Sequence, residues 1–395
     1  MAETMLVAFG RFLRLLRERR GLSLDHVEAL TAAYPEPVSK VYLSRVENGH
    51  SKIAFSRMIA LCRAYEYPID AASERLWLDL GVDRMDDPPD TAGKGAKELL
   101  REGRGYLQRG FRWHAYACAR DAIAVAKTTP VSEVFRDHEE QYLIATMNAA
   151  TAAARLGRYR FALLEYRQIE NNDAFQPKHQ PLVLTHIAST LLGLSRLNEA
   201  VIYADRAIEA ASEPECTHYL GDCLTTRSLI AYAARNFEDA ISFCRRAVHE
   251  YKRTSNAKET ANALVNLAQA SFDVGRTSAA RRFLAAADRL TRQHDFVGVR
   301  ARALILAGEV HETSGDLNAA EKVWSEAQRL ATKLGDSTLL FKVKFCLRRH
   351  AIKTNRTGIA RRLERSLERM SPWIPLDTTE LASFRASKGD TTGLA

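Results

Sequence analysis

The chain has 395 residues, 46% hydrophobic and 27% charged, with a formal net charge of +9. That length exceeds one ordinary core, so two or more packed units are expected, and the composition excludes a disordered or fibrous protein. The positive balance points to a polyanionic partner, nucleic acid above all, or to an Arg-rich composition without one; no run of about 18 apolar residues exists, so no membrane is spanned or expected as a partner.

A first helix is expected within a few residues of Met1, leaving no room for a secretory leader. In "MLVAFGRFLRLLRERR" the apolar stripe is Leu6, Phe9, Leu13 and Leu16, with Arg opposite, and Gly21 ends the helix. "LSLDHVEAL" follows, capped by Ser23, with Leu24, Val27 and Leu30 on one face. Two prolines in "TAAYPEP" break the chain. Ser39 caps a third helix, "KVYLSRVEN", closed by Gly49. A fourth, "FSRMIALCRAYEY", turns Phe55, Met58, Ile59 and Cys62 inward and stops at Pro68, and a fifth ends near Gly81. Five short helices in so few residues form a compact bundle. In the third helix Leu43 and Val46 face the core with Val38, leaving Lys40, Val41, Ser44, Arg45 and Asn48 outside. A helix of this length fits the major groove, where Arg45 can donate two hydrogen bonds to one guanine.

The run "LSLDHVEAL … VSKVYLSRVENG" resembles the phage-repressor (Xre/Cro-like) helix-turn-helix family over about residues 8–70. The resemblance implies base contacts from Lys40, Val41 and Arg45. It implies phosphate contacts from Ser23 and Asn48, to which Ser39, Tyr42, Ser44, His50 and Lys52 are added, and an internal ion pair between Arg17 and Glu47. The turn between the second and third helices is longer than the family's by about five residues, the "AAYPEP" insertion, so the approach to the groove stays open at this stage.

"DRMDDPPDTAGKG", residues 83–95, reads as a polar linker. Behind it the sequence repeats. "GRYRFALLEYRQI", "SRLNEAVIYADRA", "RNFEDAISFCRRA", "GRTSAARRFLAAA" and "GDLNAAEKVWSEA" each set a turn residue before a small alanine: Ala162, Ala200, Ala240, Ala280 and Ala320. The last four are forty residues apart; Ala115 marks an earlier copy and Ala360 a degenerate final one. Twelve residues before each of the first six stands a small residue, Gly103, Ala150, Ala188, Ser228, Ala268 or Gly308. Small residues on both partners at fixed spacing let antiparallel helices approach, and a fixed period means a solenoid. The pattern resembles tetratricopeptide (TPR) repeats, with a period nearer forty than the family's usual one, so the helices or their joints are longer.

In TPR proteins that bind peptides, the resemblance implies, polar residues of each first helix line an inner groove and clamp the ligand backbone. Asn148 and Asn266 fall at the position that commonly does so, and Thr151, Arg155, His186, Asn262, Gln269, Arg302 and Glu309 share or adjoin that face. "ARRLERSLERM", with Ile359, Leu363, Leu367 and Met370 in one stripe, caps the solenoid or joins a dimer partner, and the segment after it reads as a mobile tail.

No phosphate-binding glycine loop, dinucleotide fingerprint, HExxH or GxSxG is present, so no enzyme activity and no cofactor are expected. The six cysteines are scattered without a CxxC pair, as in a reducing cytoplasm. Cys216, His218 and Cys223 match no zinc spacing, so no metal is expected. The expected architecture is all-α: a helix-turn-helix domain over 1–82, a linker over 83–95, a right-handed TPR-like α-solenoid over 96–370 and a flexible tail over 371–395. This order resembles the cytoplasmic peptide-pheromone receptors of bacterial quorum sensing. It implies a homodimer on double-stranded operator DNA, regulated by a short peptide, another effector or a protein in the groove. An interaction scaffold that recruits a protein, with DNA binding secondary, is the alternative.

Overall fold

The structure is a computed structural model describing residues 7–128, 135–172, 177–374 and 378–388. Leu6 and residues 375–377 and 389–395 of the expected tail lie outside these. The described residues are helical with no strand. None of their helices is long and apolar enough to cross a membrane. The chain forms two compact units, Met1–Gln176 and Pro177–Ala395.

The first unit begins with α1 (Val7–Arg19), α2 (Leu24–Thr31), α3 (Lys40–Glu47), α4 (Phe55–Ala64) and α5 (Ile69–Asp83). Phe9, Leu13, Leu16, Val27, Val38, Leu43, Val46, Met58 and Cys62 are buried, as the stripes require. Leu24 and Ile59 are half-buried, and two apolar residues face out: Leu30 and Phe55 are 51% and 64% exposed. Phe55 is the first residue of α4 and Leu30 lies in the last turn of α2, where the inward arc has run out. Gly10 is a contact point, because a Cβ there would lie 2.2 Å from the Val46 carbonyl oxygen. The missing side chain lets the end of α3 rest on α1.

The same unit continues with α6 (Ala96–Arg109), α7 (Arg112–Thr128), α8 (Phe135–Arg155) and α9 (Tyr159–Glu170). The 83–95 stretch is tied down by hydrogen bonds from Thr91 Oγ1 to Asp121 (2.6 Å) and from Lys94 to Glu102 (2.8 Å). Helix α5 packs on α1, α7 and α9. Arg75 of α5 is buried among the rings of Phe12, Tyr116 and Phe161 and bonded to buried Asp79 at 2.8 Å.

The second unit contains α10 (Gln180–Gly193), α11 (Leu197–Ala210), α12 (Leu220–Ala233), α13 (Phe237–Arg253), α14 (Ala257–Asp273), α15 (Thr277–Gln293), α16 (Val297–Thr313), α17 (Leu317–Leu334), α18 (Ser337–Lys353), α19 (Thr357–Met370) and α20 (Thr379–Ala386). The period of forty has a plain origin. From α13 to α16 each helix has 17 residues, and three-residue joints separate them. One residue in each joint takes a positive φ: Arg235, Ser255, Gly275, Asp295, Gly315, Gly335 and Asn355, each twenty after the last. That left-handed residue lets the next amide donate to a carbonyl five residues back, as Arg276 does to Ser271 at 2.8 Å, so the helix stops cleanly.

The small-residue pairs lie at the crossings. All seven marker alanines are buried, and Ser228 Oγ donates to the Ala240 carbonyl at 2.9 Å across the pair. At Gly308 the fully buried Trp324 indole occupies the space a side chain would need; a Cβ there would be 2.2 Å from Trp324 Nε1. The same Nε1 donates to the Ile305 carbonyl at 3.0 Å. Gly308→Ala is therefore expected to lower stability by about 1–3 kcal/mol through overpacking. Gly298→Ala in the same helix, whose Cβ meets only Leu334 at 3.8 Å, is the neutral control. Urea melts of the two variants check this.

The expectation of a mobile tail from residue 371 is corrected for α20. Leu381 and Phe384 are buried against Phe341, Leu367 and Ile374, and Lys342 pairs with Glu380 at 3.1 Å. The two apolar residues stand one helical turn apart, enough to seat a short helix on α18.

Candidate nucleic-acid interface and inner groove

Helix α3 is held at both ends. Ser39 accepts from the Tyr42 amide at 3.3 Å, and Ser23 caps α2 from the His26 amide at 3.1 Å. Each hydroxyl keeps its proton for an outside acceptor. The long turn between α2 and α3 is closed by Thr31, whose Oγ1 donates to the Val27 carbonyl (2.9 Å) and accepts from the Val38 amide (3.1 Å). Glu47 is buried beneath α3 and bonded twice by Arg17, at 2.7 and 2.8 Å. That hydrogen-bonded carboxylate raises the pKa of Arg17 against the opposing effect of burial.

On the outer side Val41 is 65% exposed, and Arg45, His50 and Lys52 are exposed. The Arg45 guanidinium makes no hydrogen bond or ion pair among the described residues. Lys40 is exposed and paired with Asp25 at 2.7 Å, a bond between solvated groups that DNA can exchange. Ser44 is half-buried. Asn48 accepts from Arg14 and donates to the Ser44 carbonyl at 2.8 Å, keeping one amide hydrogen. Tyr42 corrects the sequence-based assignment: its hydroxyl donates to the Lys52 carbonyl at 2.8 Å and has no proton left for a phosphate. Its role is to fix the loop between α3 and α4, with Arg57 over its ring.

In the second unit α12, α14, α16 and α18 form an inner row in which each approaches the next across an intervening helix. Here three predicted residues meet. Arg302 Nη1 and Nη2 donate to Asn262 Oδ1 (3.0 Å) and Asn266 Oδ1 (2.9 Å), and Asn262 donates to Glu259. Solvent reaches Arg302, yet the surrounding protein lowers its pKa by desolvation, with Glu259 opposing. No carboxylate among the described residues pairs with it.

Gln269 and Glu309 belong to a second group. Gln269 donates to Asp273 at 3.1 Å, and Tyr232 donates to the same oxygen at 2.6 Å. Glu309 faces Arg349 at 3.9 Å, and its pKa is raised by burial, partly offset by Arg349. Asp273, Glu312, Arg349 and Lys353 were not singled out from sequence. Arg349 stands forty residues after Glu309 and eighty after Gln269, so the period marks it.

His186 is half-buried on α10. The remaining candidates lie on α8 in the first unit. The Asn148 side-chain nitrogen is buried with no partner among the described residues. Arg155 is exposed and holds the Leu107 carbonyl at 3.2 Å. Thr151 is corrected to a structural residue, because its buried hydroxyl is engaged by the Met147 carbonyl and Tyr166, both at 2.8 Å.

The six cysteines are buried free thiols. Among the described residues no three His, Cys, Asp or Glu side chains are grouped to hold a metal.

These elements define a helix-turn-helix head followed by TPR-like helical repeats. A family profile described as "Helix-turn-helix domain" matches residues 8–75. No curated protein matches the chain. Among solved structures, a Rap protein complexed with Competence and Sporulation Factor is similar at 15% identity, over 76% of this chain and 84% of that one, with a TM-score of 0.56. A Signal Transduction ATPase with Numerous Domains with a tetratricopeptide repeat sensor, from Pyrococcus horikoshii, is similar at 10% identity, over 90% of this chain and 53% of that one, with a TM-score of 0.53. At these identities the likeness is one of fold.

Proposed function

We propose that the protein is a sequence-specific DNA-binding transcriptional regulator. It acts in the cytoplasm as a homodimer on a two-fold operator, and an effector in the inner groove controls it. The observation that carries the reading is the state of α3. Its apolar side is buried, its buried Glu47 is neutralised, and Arg45 projects without an internal partner. Ser23 and Ser39 place hydroxyl donors at the starts of α2 and α3 for phosphates. The groove reading rests on Arg302, a cation with no ion-pair partner among the described residues, oriented by two asparagines, and a Rap protein of similar fold was solved with Competence and Sporulation Factor.

The test of DNA binding is selection from a pool of randomised duplexes, with a recovered two-fold motif expected and an unselected pool contradicting it. For the groove, Arg302→Gln is expected to keep affinity for the selected operator and to lose the change in affinity caused by a low-molecular-weight extract of the producing cells. An unaltered response in that variant removes Arg302 from the effector site. The scaffold reading draws on the saturation of Gln269, Asp273 and Tyr232 by one another, which suits a broad protein contact. A stoichiometric protein partner in a pull-down, without a selected DNA motif, favours it.

A further inference from the structure

The solvent side of the second unit carries a repeating charge that the helix-turn-helix head does not explain. Count from the marker alanines Ala240, Ala280, Ala320 and Ala360. Positions two, five, nine and thirteen further on share about 80° of helix arc. On α13 they are Ser242, Arg245, His249 and Arg253; on α15 they are Arg282, Ala285, Arg289 and Gln293. On α17 they are Lys322, Ser325, Arg329 and Lys333, and on α19 the first three are Arg362, Arg365 and Arg369. All are exposed, and none is acidic.

On α13 the face is partly neutralised, Arg253 pairing with Glu250 at 2.9 Å, but on the other three helices the neighbouring carboxylates do not neutralise it. Every acidic residue of α15, α17 and α19 is already paired elsewhere. Asp288 binds Arg292 (2.7 Å) and Arg300, which also holds Glu326. Glu321 binds Arg356 at 2.6 Å, and Glu364 and Glu368 share Lys388. None of the cations on the shared face of α15, α17 and α19 has an ion-pair partner among the described residues.

We propose that this face is a second, sequence-independent nucleic-acid surface that grips the phosphate backbone of duplex DNA. Its cations are mostly arginine, whose planar fork matches phosphate oxygens. Ala285 is its only apolar residue and His249 its only ring, so it has nothing to insert into a lipid surface and no run of rings along which unpaired bases would stack. Residues two and nine lie two turns apart, about 10 Å along each helix. The row therefore offers regularly spaced contacts with a polyanion and reads no bases. The choice of duplex DNA rests on the reading that the head binds DNA.

The test uses the full chain and a random-sequence duplex in a salt titration. The triple variant Arg289→Gln/Arg329→Gln/Arg369→Gln is expected to bind at least tenfold more weakly at low salt. Its slope of log affinity against log salt should be shallower by about 2–3, near 0.9 for each phosphate no longer neutralised. The corresponding lysine triple keeps the wild-type slope. Identical slopes for wild type and the glutamine triple overturn the proposal, as does a wild type that ignores the duplex in dilute salt. Loss of binding to phosphatidylserine vesicles by the glutamine triple with duplex binding intact assigns the face to a membrane and also overturns it. A wild type that selects no sequence from a pool while showing the expected slope change leaves this surface standing and removes the operator reading; a selected motif with no slope change does the reverse.

Discussion

Asp79→Ala is expected to destabilise the protein by about 3–5 kcal/mol, the cost of leaving a buried charge without its partner. Asp79 is fully buried, and the Arg75 side chain is 9% exposed. Arg75 Nε donates to Asp79 Oδ2 at 2.8 Å, the Tyr116 hydroxyl donates to Oδ1 at 3.3 Å, and Arg120 lies 3.9 Å from the same oxygen. Burial works against the charged form of Arg75, and Asp79 together with Tyr116 and Glu165 outweighs it, so the net shift of its pKa is upward. Alanine removes the anion and leaves the guanidinium among three aromatic rings with no acceptor. Replacing both residues at once, as Arg75→Met/Asp79→Leu, is expected to recover most of the loss, since apolar groups of similar volume need no counterion. Denaturant melts of the single and double variants read this directly. A single variant within about 1 kcal/mol of wild type contradicts the account.

The second large effect concerns recognition. Arg45→Ala is expected to weaken binding to the selected operator by about 1–3 kcal/mol, roughly five- to over a hundredfold, and to relax preference at one guanine. Arg45 is exposed and has no internal partner, so the fold should change by less than about 0.5 kcal/mol. Lys52→Ala is the informative contrast, because a phosphate contact weakens all sequences alike and reduces the salt slope by about one. Competition band shifts with operator and scrambled duplex separate the two. Equal losses on both duplexes for Arg45→Ala place that residue on the backbone instead of a base.

The repeat was the most legible part of the sequence, because close helix crossings demand small residues at fixed intervals. Gly308 and Ala320, or Ser228 and Ala240, announce a contact that no other residue types allow so well. The head was readable for a similar reason: Ser23, Ser39 and Gly49 mark helix ends by their hydrogen-bonding and backbone preferences. What pattern did not show was the use of individual polar groups. Tyr42 and Thr151 lie on helices the pattern predicts, but their hydroxyls are satisfied by Lys52 and Tyr166, whose approach depends on tertiary packing. The Arg75 network was missed because a charged residue in a short amphipathic helix looks solvated until α7 and α9 bring Tyr116 and Phe161 over it. Leu381 and Phe384 were passed over because two apolar residues in a polar segment make a weak stripe.

The uniform twenty-residue spacing of the left-handed joints has a bearing on how such a chain can lengthen or shorten. Excising or duplicating forty residues between equivalent joints, for example from Arg235 to Gly275, removes or adds one whole rung and returns every later side chain to its former bearing. A single inserted residue within α15 would instead swing all that follows in that helix by about 100°, turning Arg289 away from solvent and driving Ala287 out of the core. Length variation in this part of the molecule should therefore come in whole rungs, with the inward and outward surfaces growing in step.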